Sequence, residues 1–185
     1  MSTFQVHTIE SAPAGAKASL EALKRGLGFV PNLAATMAGS PTLVNGFVEL
    51  RGTLARGELT AVEREIVAIA VSLENDCNYC VAAHSTFALM SGAEDGAVSA
   101  ARDGRAPEPA KLAALYTFAR RIVTQRGHVS AADTQAGLDA GLSCGMLLEA
   151  VAQIGHTTIA NLAHNLSDAP LDEAFAPQAW AGTAA

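Results

Sequence analysis

This 185-residue chain is short of aromatic residues (5%), of charged residues (16%) and of any lysine or arginine cluster. Each shortage excludes something. Few aromatic side chains amid abundant alanine, leucine and valine argue against a sheet, whose strands favour β-branched and aromatic residues, and for close-packed helices. Without a basic cluster, and with a net charge of -6, nothing neutralises nucleic-acid phosphates or anionic lipid, so neither is expected as a partner. Long apolar runs are missing too. The longest, Ile66 to Val71, falls far short of the ~20 residues that cross a bilayer. The N-terminus lacks a basic segment leading into an apolar signal region, which predicts a thiol-reducing cytoplasmic setting. Only three cysteines are present, too few for a disulfide framework, and a close pair in such a setting is more often catalytic or metal-binding.

What is abundant is hydrophobic surface: half of the residues are apolar and mean hydropathy is +0.23. That is enough for a sizeable core in one domain spanning 1–185, and the surplus predicts a subunit interface. Helical periodicity broken by glycine and proline predicts about seven to nine helices. They run over 16–27, a short one after Pro31 at a first helical position, 41–56, from Thr60 to about 74, 77–91, a short one near 96, 111–125, 131–140, and a long one up to Leu166. Thr60 with Glu63 has the capping-box spacing, and Asn75 or Asp76 is placed to cap the helix from Cys77. No segment alternates with period two, so the predicted class is all-α. From Asp168 the tail is rich in proline and alanine and is expected to wrap the surface.

One stretch concentrates chemistry: "SLENDCNYCVAAHSTFA", residues 72–88. At ~100° per residue Cys77, Cys80 and His84 fall within ~60° of one helix face. Cys77 stands where unpaired backbone N–H groups favour a thiolate, and a nearby imidazole lowers a thiol pKa further, whereas Asp76 opposes it. A c-type haem site fails because Val81, not histidine, follows the second cysteine. A thioredoxin-like pair fails because helix, not strand, precedes it. Two alternatives stay open: a zinc site using Cys77, Cys80, His84 and one of Cys144, His128, His156 or His164, and buried cysteines that only pack. On the preceding helix Glu65 projects among Val62, Ala68 and Ile69. It is either a buried acid–base group beside the thiol helix or a glutamate reaching solvent or an arginine.

The run "LTAVEREIVAIAVSLENDCNYCVAAHSTFALMSGA" resembles the core motif of the AhpD-like alkylhydroperoxidases of the carboxymuconolactone decarboxylase superfamily, with Glu65, Cys77, Cys80 and His84 at its four positions and the redox core over 57–104. "GFVPN" at 28–32 and "ANLAHNLSDAPLD" at 160–172 resemble flanking segments of its peroxidase-related branch. The resemblance implies an all-α helical bundle assembling as trimers or hexamers, without haem, flavin or metal. It implies a thiol-dependent hydroperoxidase in which Cys80 attacks the peroxide, Cys77 resolves the product as a disulfide, and Glu65 and His84 relay protons. A dithiol, thioredoxin-like or lipoyl donor would then reset the pair. Its alternatives are a decarboxylase-like enzyme of the same superfamily, whose members work without a cysteine pair, and a zinc-stabilised helical interaction module. Tyr79 replaces a histidine of the best-studied branch and predicts a shorter relay, since a phenol is a poor proton acceptor at neutral pH. His164 and Asn165 reverse that branch's usual order, which turns the imidazole by ~100° and predicts that His164, like His128 and His156, only packs. Cys144 is expected to be structural.

Overall fold

The chain's most apolar stretch becomes its central helix. A computed structural model describes residues 3–182, and among them lie nine α-helices: α1 (Lys17–Leu27), α2 (Asn32–Met37), α3 (Pro41–Leu54), α4 (Ala61–Glu74), α5 (Asn78–Met90), α6 (Asp95–Arg102), α7 (Ala110–Thr124), α8 (Ala131–Asp139) and α9 (Cys144–Ser167). Short 3₁₀ turns occupy Ala14–Ala16 and Glu173–Gln178, and the described residues contain no strand, so the fold is the all-α bundle that composition predicts. In α4 every residue from Ile66 to Val71 is fully buried, as expected of a helix apolar on all sides. It packs against α5, α7 and α9. Each buried valine or isoleucine contributes about 1.5–3 kcal/mol of hydrophobic stabilisation, so this run anchors the bundle.

The helix ends follow their sequence signals. The Thr60–Glu63 capping box is formed, with Thr60 N donating to Glu63 Oε2 at 2.7 Å and Glu63 N to Thr60 Oγ1 at 3.2 Å. A second box joins Ser130 and Asp133, and Ser40 and Ser143 cap α3 and α9. Gly28 closes α1 at φ 85°, a conformation that favours glycine.

Four local expectations are corrected. Pro31 is the N-cap of α2 rather than its first helical residue. Neither Asn75 nor Asp76 caps α5: Asn75 ends α4, Asp76 takes a left-handed φ of 50°, and Cys77 itself is the N-cap. Cys144 is exposed and supports no core. The tail does not merely wrap the surface, for Phe175 is buried and its 3₁₀ turn packs on α5.

Two apolar clusters divide the interior. One joins α4, α7 and the first half of α9; the other joins the N-terminal helices, the start of α5 and the tail. Cys77 and Cys80 belong to the second cluster, on the helix packed most extensively on α4. The candidate site is set into the second cluster.

Candidate active site

The turn from α4 to α5 sets the positions of the sulfurs. Cys77 N donates to Ser72 O at 2.9 Å, bending the chain back so that α5 lies along α4. Because Cys77 precedes the first helical residue, at φ -98° and ψ 90°, its side chain does not follow the helical rotation that places Cys80, Ala83, His84 and Phe87 on one face. That face lines a cavity of about 160 Å³. Cys80 is on the cavity wall, whereas Cys77 is fully buried behind it.

Glu65 and His84 meet. Glu65 Oε2 lies 2.6 Å from His84 Nδ1, with side-chain exposures of 22% and 16%. The carboxylate therefore fixes the ring and leaves Nε2 as the nitrogen free for proton exchange. Of the two readings of Glu65, partnership with the thiol helix is the one the fold adopts. Glu65, Cys80 and His84 all line the same cavity.

The two thiols are electrostatically coupled, and the pair favours its anion at Cys77. Donation from the Cys80 thiol lowers the Cys77 pKa against the cost of burial, and His164 and the Cys80 backbone N–H lower it further. Burial pushes the Cys80 thiol up, and the neighbouring Cys77 pushes it further, opposed only by Asn161. The resting anion thus sits on the cysteine that faces away from the cavity.

Two residues complete this arrangement: His164, which the sequence reading assigned to packing, and Asn161, which it passed over. His164 is buried and stacks on the Tyr79 ring at 5.1 Å. Although burial favours its neutral form, hydrogen bonding to Cys77 and the Cys77 charge raise its pKa overall. The reversed order with Asn165 does not turn the imidazole outward. Asn165 takes the outer position, donating to Asn75 O at 2.8 Å, while His164 points inward. Asn161, also fully buried, donates to Ser72 Oγ at 3.1 Å and accepts from Asn75 Nδ2 at 2.9 Å, and its amide faces Cys80. The polar stripe at 157, 161 and 164 on a helix with its other face exposed is the signal that could have found these positions.

Tyr79 serves as a clamp rather than a relay group. Its hydroxyl donates to Asp172 Oδ2 at 2.6 Å and accepts from Leu33 N at 3.3 Å. Burial, together with the Asp172 carboxylate, raises its pKa far above the usual phenol range, so it stays protonated. Asp172 also accepts from Asn32 N, and Asn32 Nδ2 donates to Pro170 O at 3.1 Å. The two flanking motifs, 28–32 and 160–172, are in this way tied to each other and to the residue between the cysteines.

Of the remaining histidines, His156 is buried on the cavity wall, stacked on Phe47 at 4.1 Å, and His128 is exposed. Among the described residues no three His, Cys, Asp or Glu side chains converge as metal ligands. None of the described helices is long and apolar enough to cross a membrane.

Residues 41–121 match the model of the carboxymuconolactone decarboxylase family. No curated protein sequence matches the chain. Among solved structures it is similar to an alkylhydroperoxidase AhpD core, a peroxidase-related protein from Ralstonia eutropha JMP134, with a TM-score of 0.84, 24% identity and 94% of each chain covered. A peroxidase-related protein from Silicibacter sp. TM1040 gives a TM-score of 0.77 at 20% identity, covering 94% of this chain and 92% of the other. The apo debrominase Bmp8 gives 0.73 at 21%, covering 89% and 90%. At these identities the likeness is one of fold.

Proposed function

We propose that this chain, a member of the AhpD-like superfamily, is a thiol-dependent hydroperoxide reductase working through Cys80 and Cys77. One observation carries the reading. Cys80 borders the cavity beside a histidine fixed by Glu65, with a second thiol, close enough to perturb it, buried on the side away from the cavity.

The cycle follows from the positions of the protons. As the hydroperoxide enters, the Cys80 proton moves to the Cys77 thiolate. The Cys80 sulfur attacks the peroxide oxygen, the O–O bond breaks, and the departing alkoxide takes a proton relayed from solvent through His84. Cys80 is now a sulfenic acid. Cys77 gives up the transferred proton as its sulfur bonds to Cys80, and the expelled hydroxide leaves with that proton as water. His164 stabilises the resting Cys77 thiolate, and again the charge that develops on its sulfur as the proton leaves in this second step. An external dithiol, on a small molecule or on a thioredoxin-like or lipoyl-bearing protein, then reduces the disulfide and is itself oxidised.

The test is consumption of an organic hydroperoxide by the purified chain with a dithiol supplied. Cys80→Ser is expected to abolish it, and Cys77→Ser to permit one turnover and then accumulate overoxidised Cys80. Full activity in Cys80→Ser refutes the assignment. A second reading, thiol-dependent removal of bromine from an organic bromide, is favoured by the aromatic residues Phe47, Phe87 and Phe175 around the cavity and by the likeness to Bmp8. Bromide release from a small aromatic bromide distinguishes it.

A self-assembled oligomer fits the surface. Leu148, Val151, Ile159, Leu162 and Leu166 on α9 are exposed at spacings that keep them on one face, a stripe of the kind that marks an interface. A second copy of the chain is the proposed occupant, in line with the trimers or hexamers that the resemblance implies.

A further inference from the structure

The cavity beside Cys80 holds more polar chemistry than the thiol cycle uses. Its wall is mainly hydrocarbon, from residues such as Leu33, Met37, Phe87 and Phe175, yet Arg51 of α3 and Arg64 of α4 also border it. Neither arginine has a carboxylate partner among the described residues; Arg64 spends one N–H on Leu59 O. The cavity's one carboxylate, Glu65, is already engaged by His84. Two guanidinium groups without a carboxylate partner therefore border this cavity, Arg51 reaching it from the surface and Arg64 half-buried.

His156 gives an independent second observation. It is 5% exposed, lines the same cavity, and neither ring nitrogen has a hydrogen bond of normal geometry. Buried polar atoms without partners are rare and costly, and one on a ligand-sized cavity points to a ligand that completes it. Burial, with the positive charges of His84 and Arg51, lowers its pKa to about 4, against the pull of the Phe47 carbonyl. At neutral pH it is therefore a neutral N–H donor, suited to an anion already held by an arginine.

Size limits the rest of the ligand. A cavity of about 160 Å³ compares with the roughly 150 Å³ of an engineered apolar cavity that binds benzene, so the buried body is about one ring in size. We propose that this cavity selects small organic acids, seating an apolar body of about one ring against the hydrocarbon wall and its carboxylate at Arg51 and Arg64, with His156 as a neutral donor. The inference rests on the reading of this cavity as the place where Cys80 meets its substrate, and it adds that the substrate is an anion, such as a carboxylate-bearing hydroperoxide.

The test separates recognition from turnover by using probes that cannot react. Benzoate and benzamide share a ring and a shape but differ in charge, and calorimetric titration of the reduced full chain measures both. Benzoate is expected to bind at least tenfold more tightly than benzamide. Combining Arg51→Gln with Arg64→Gln should weaken benzoate at least tenfold and leave benzamide unchanged; His156→Phe, which can keep the stack on Phe47, should weaken benzoate alone. Equal binding of the two probes, undetectable binding of benzoate at several millimolar, or an unchanged benzoate affinity in the double variant overturns the inference. Because none of these readouts needs a working thiol pair, a chain that binds benzoate by charge yet consumes no hydroperoxide refutes the proposed reaction and leaves the pocket standing.

Discussion

The hydroxyl of Tyr79 is the smallest group whose removal should loosen the site as a whole. Tyr79→Phe keeps the ring, with its edge contact to Phe175 at 5.7 Å and its stack on His164 at 5.1 Å, so apolar packing is unchanged. Two hydrogen bonds go: donation to the Asp172 carboxylate at 2.6 Å and acceptance from Leu33 N at 3.3 Å. A hydrogen bond to a charged group is worth about 1.5–3 kcal/mol, and a buried donor left without a partner costs about 1–3 kcal/mol. Asp172 keeps its bonds from Asn32 N, at 3.1 and 3.2 Å, and water entering the hydroxyl's space recovers part of the loss. The net destabilisation is then about 2–4 kcal/mol.

For a chain of this length each kcal/mol lowers Tm by about 2–4 °C, so thermal unfolding followed by circular dichroism should move down by about 8 °C. Limited proteolysis should cut first near 168–178, because the lost clamp is what ties the tail to α5 and α2. A fall of less than about 2 °C with no new cleavage would show that the packing of Phe175 alone holds the tail.

Three further outcomes follow from the site and the surface. Glu65→Gln should lower kcat/KM for hydroperoxide by about 10²–10⁴, the usual contribution of a positioned acid–base group, while Tm stays near the parent value. In the reduced parent, one thiolate per chain should persist as pH falls through the ordinary thiol range near ~8.5, because Cys77 is held below it, and should vanish only at lower pH. His164→Gln removes the imidazole beside Cys77 and should move that titration upward; an unchanged ultraviolet thiolate titration would show that the Cys80 thiol alone sustains the anion. Leu162 is 60% exposed, so Leu162→Glu should leave the fold intact and reduce the sedimentation coefficient to that of a monomer. A parent that already sediments as a monomer removes the interface.

The parts of the fold legible in the sequence are those written in local signals. Thr60 with Glu63, Ser130, Gly28 and the apolar run at 66–71 act through contacts within a turn or two, or through the burial that such a run demands, and α4 and α8 begin where those signals put them. For Glu65 the sequence left two readings open, and its pairing with His84 was what the resemblance implied. The turn between α4 and α5 is short, so residues on the facing sides of the two helices must meet, and they do so at 2.6 Å.

What stayed hidden depends on contacts between distant parts of the chain and on one break in helical regularity. Extrapolating 100° per residue puts Cys77 beside His84, but an N-cap residue has extended backbone angles, and its side chain leaves the stripe that the helix defines. The sulfur turns from the cavity toward α9 and finds the second imidazole, His164, 87 residues away in sequence. His164 points inward because Asn165 is held outside by Asn75 and because Tyr79, fixed by Asp172, offers a ring to stack on. None of those causes is visible in the order of two residues. The same break separates the two sulfurs: a thiol on the helix proper faces the cavity with Glu65 and His84, and a thiol at the cap lies behind it with His164. A single helix face bearing both sulfurs would have set both on the cavity wall; the cap leaves Cys80 alone on the wall and holds Cys77 behind it, where the proposed cycle has it receive the Cys80 proton and then close the disulfide.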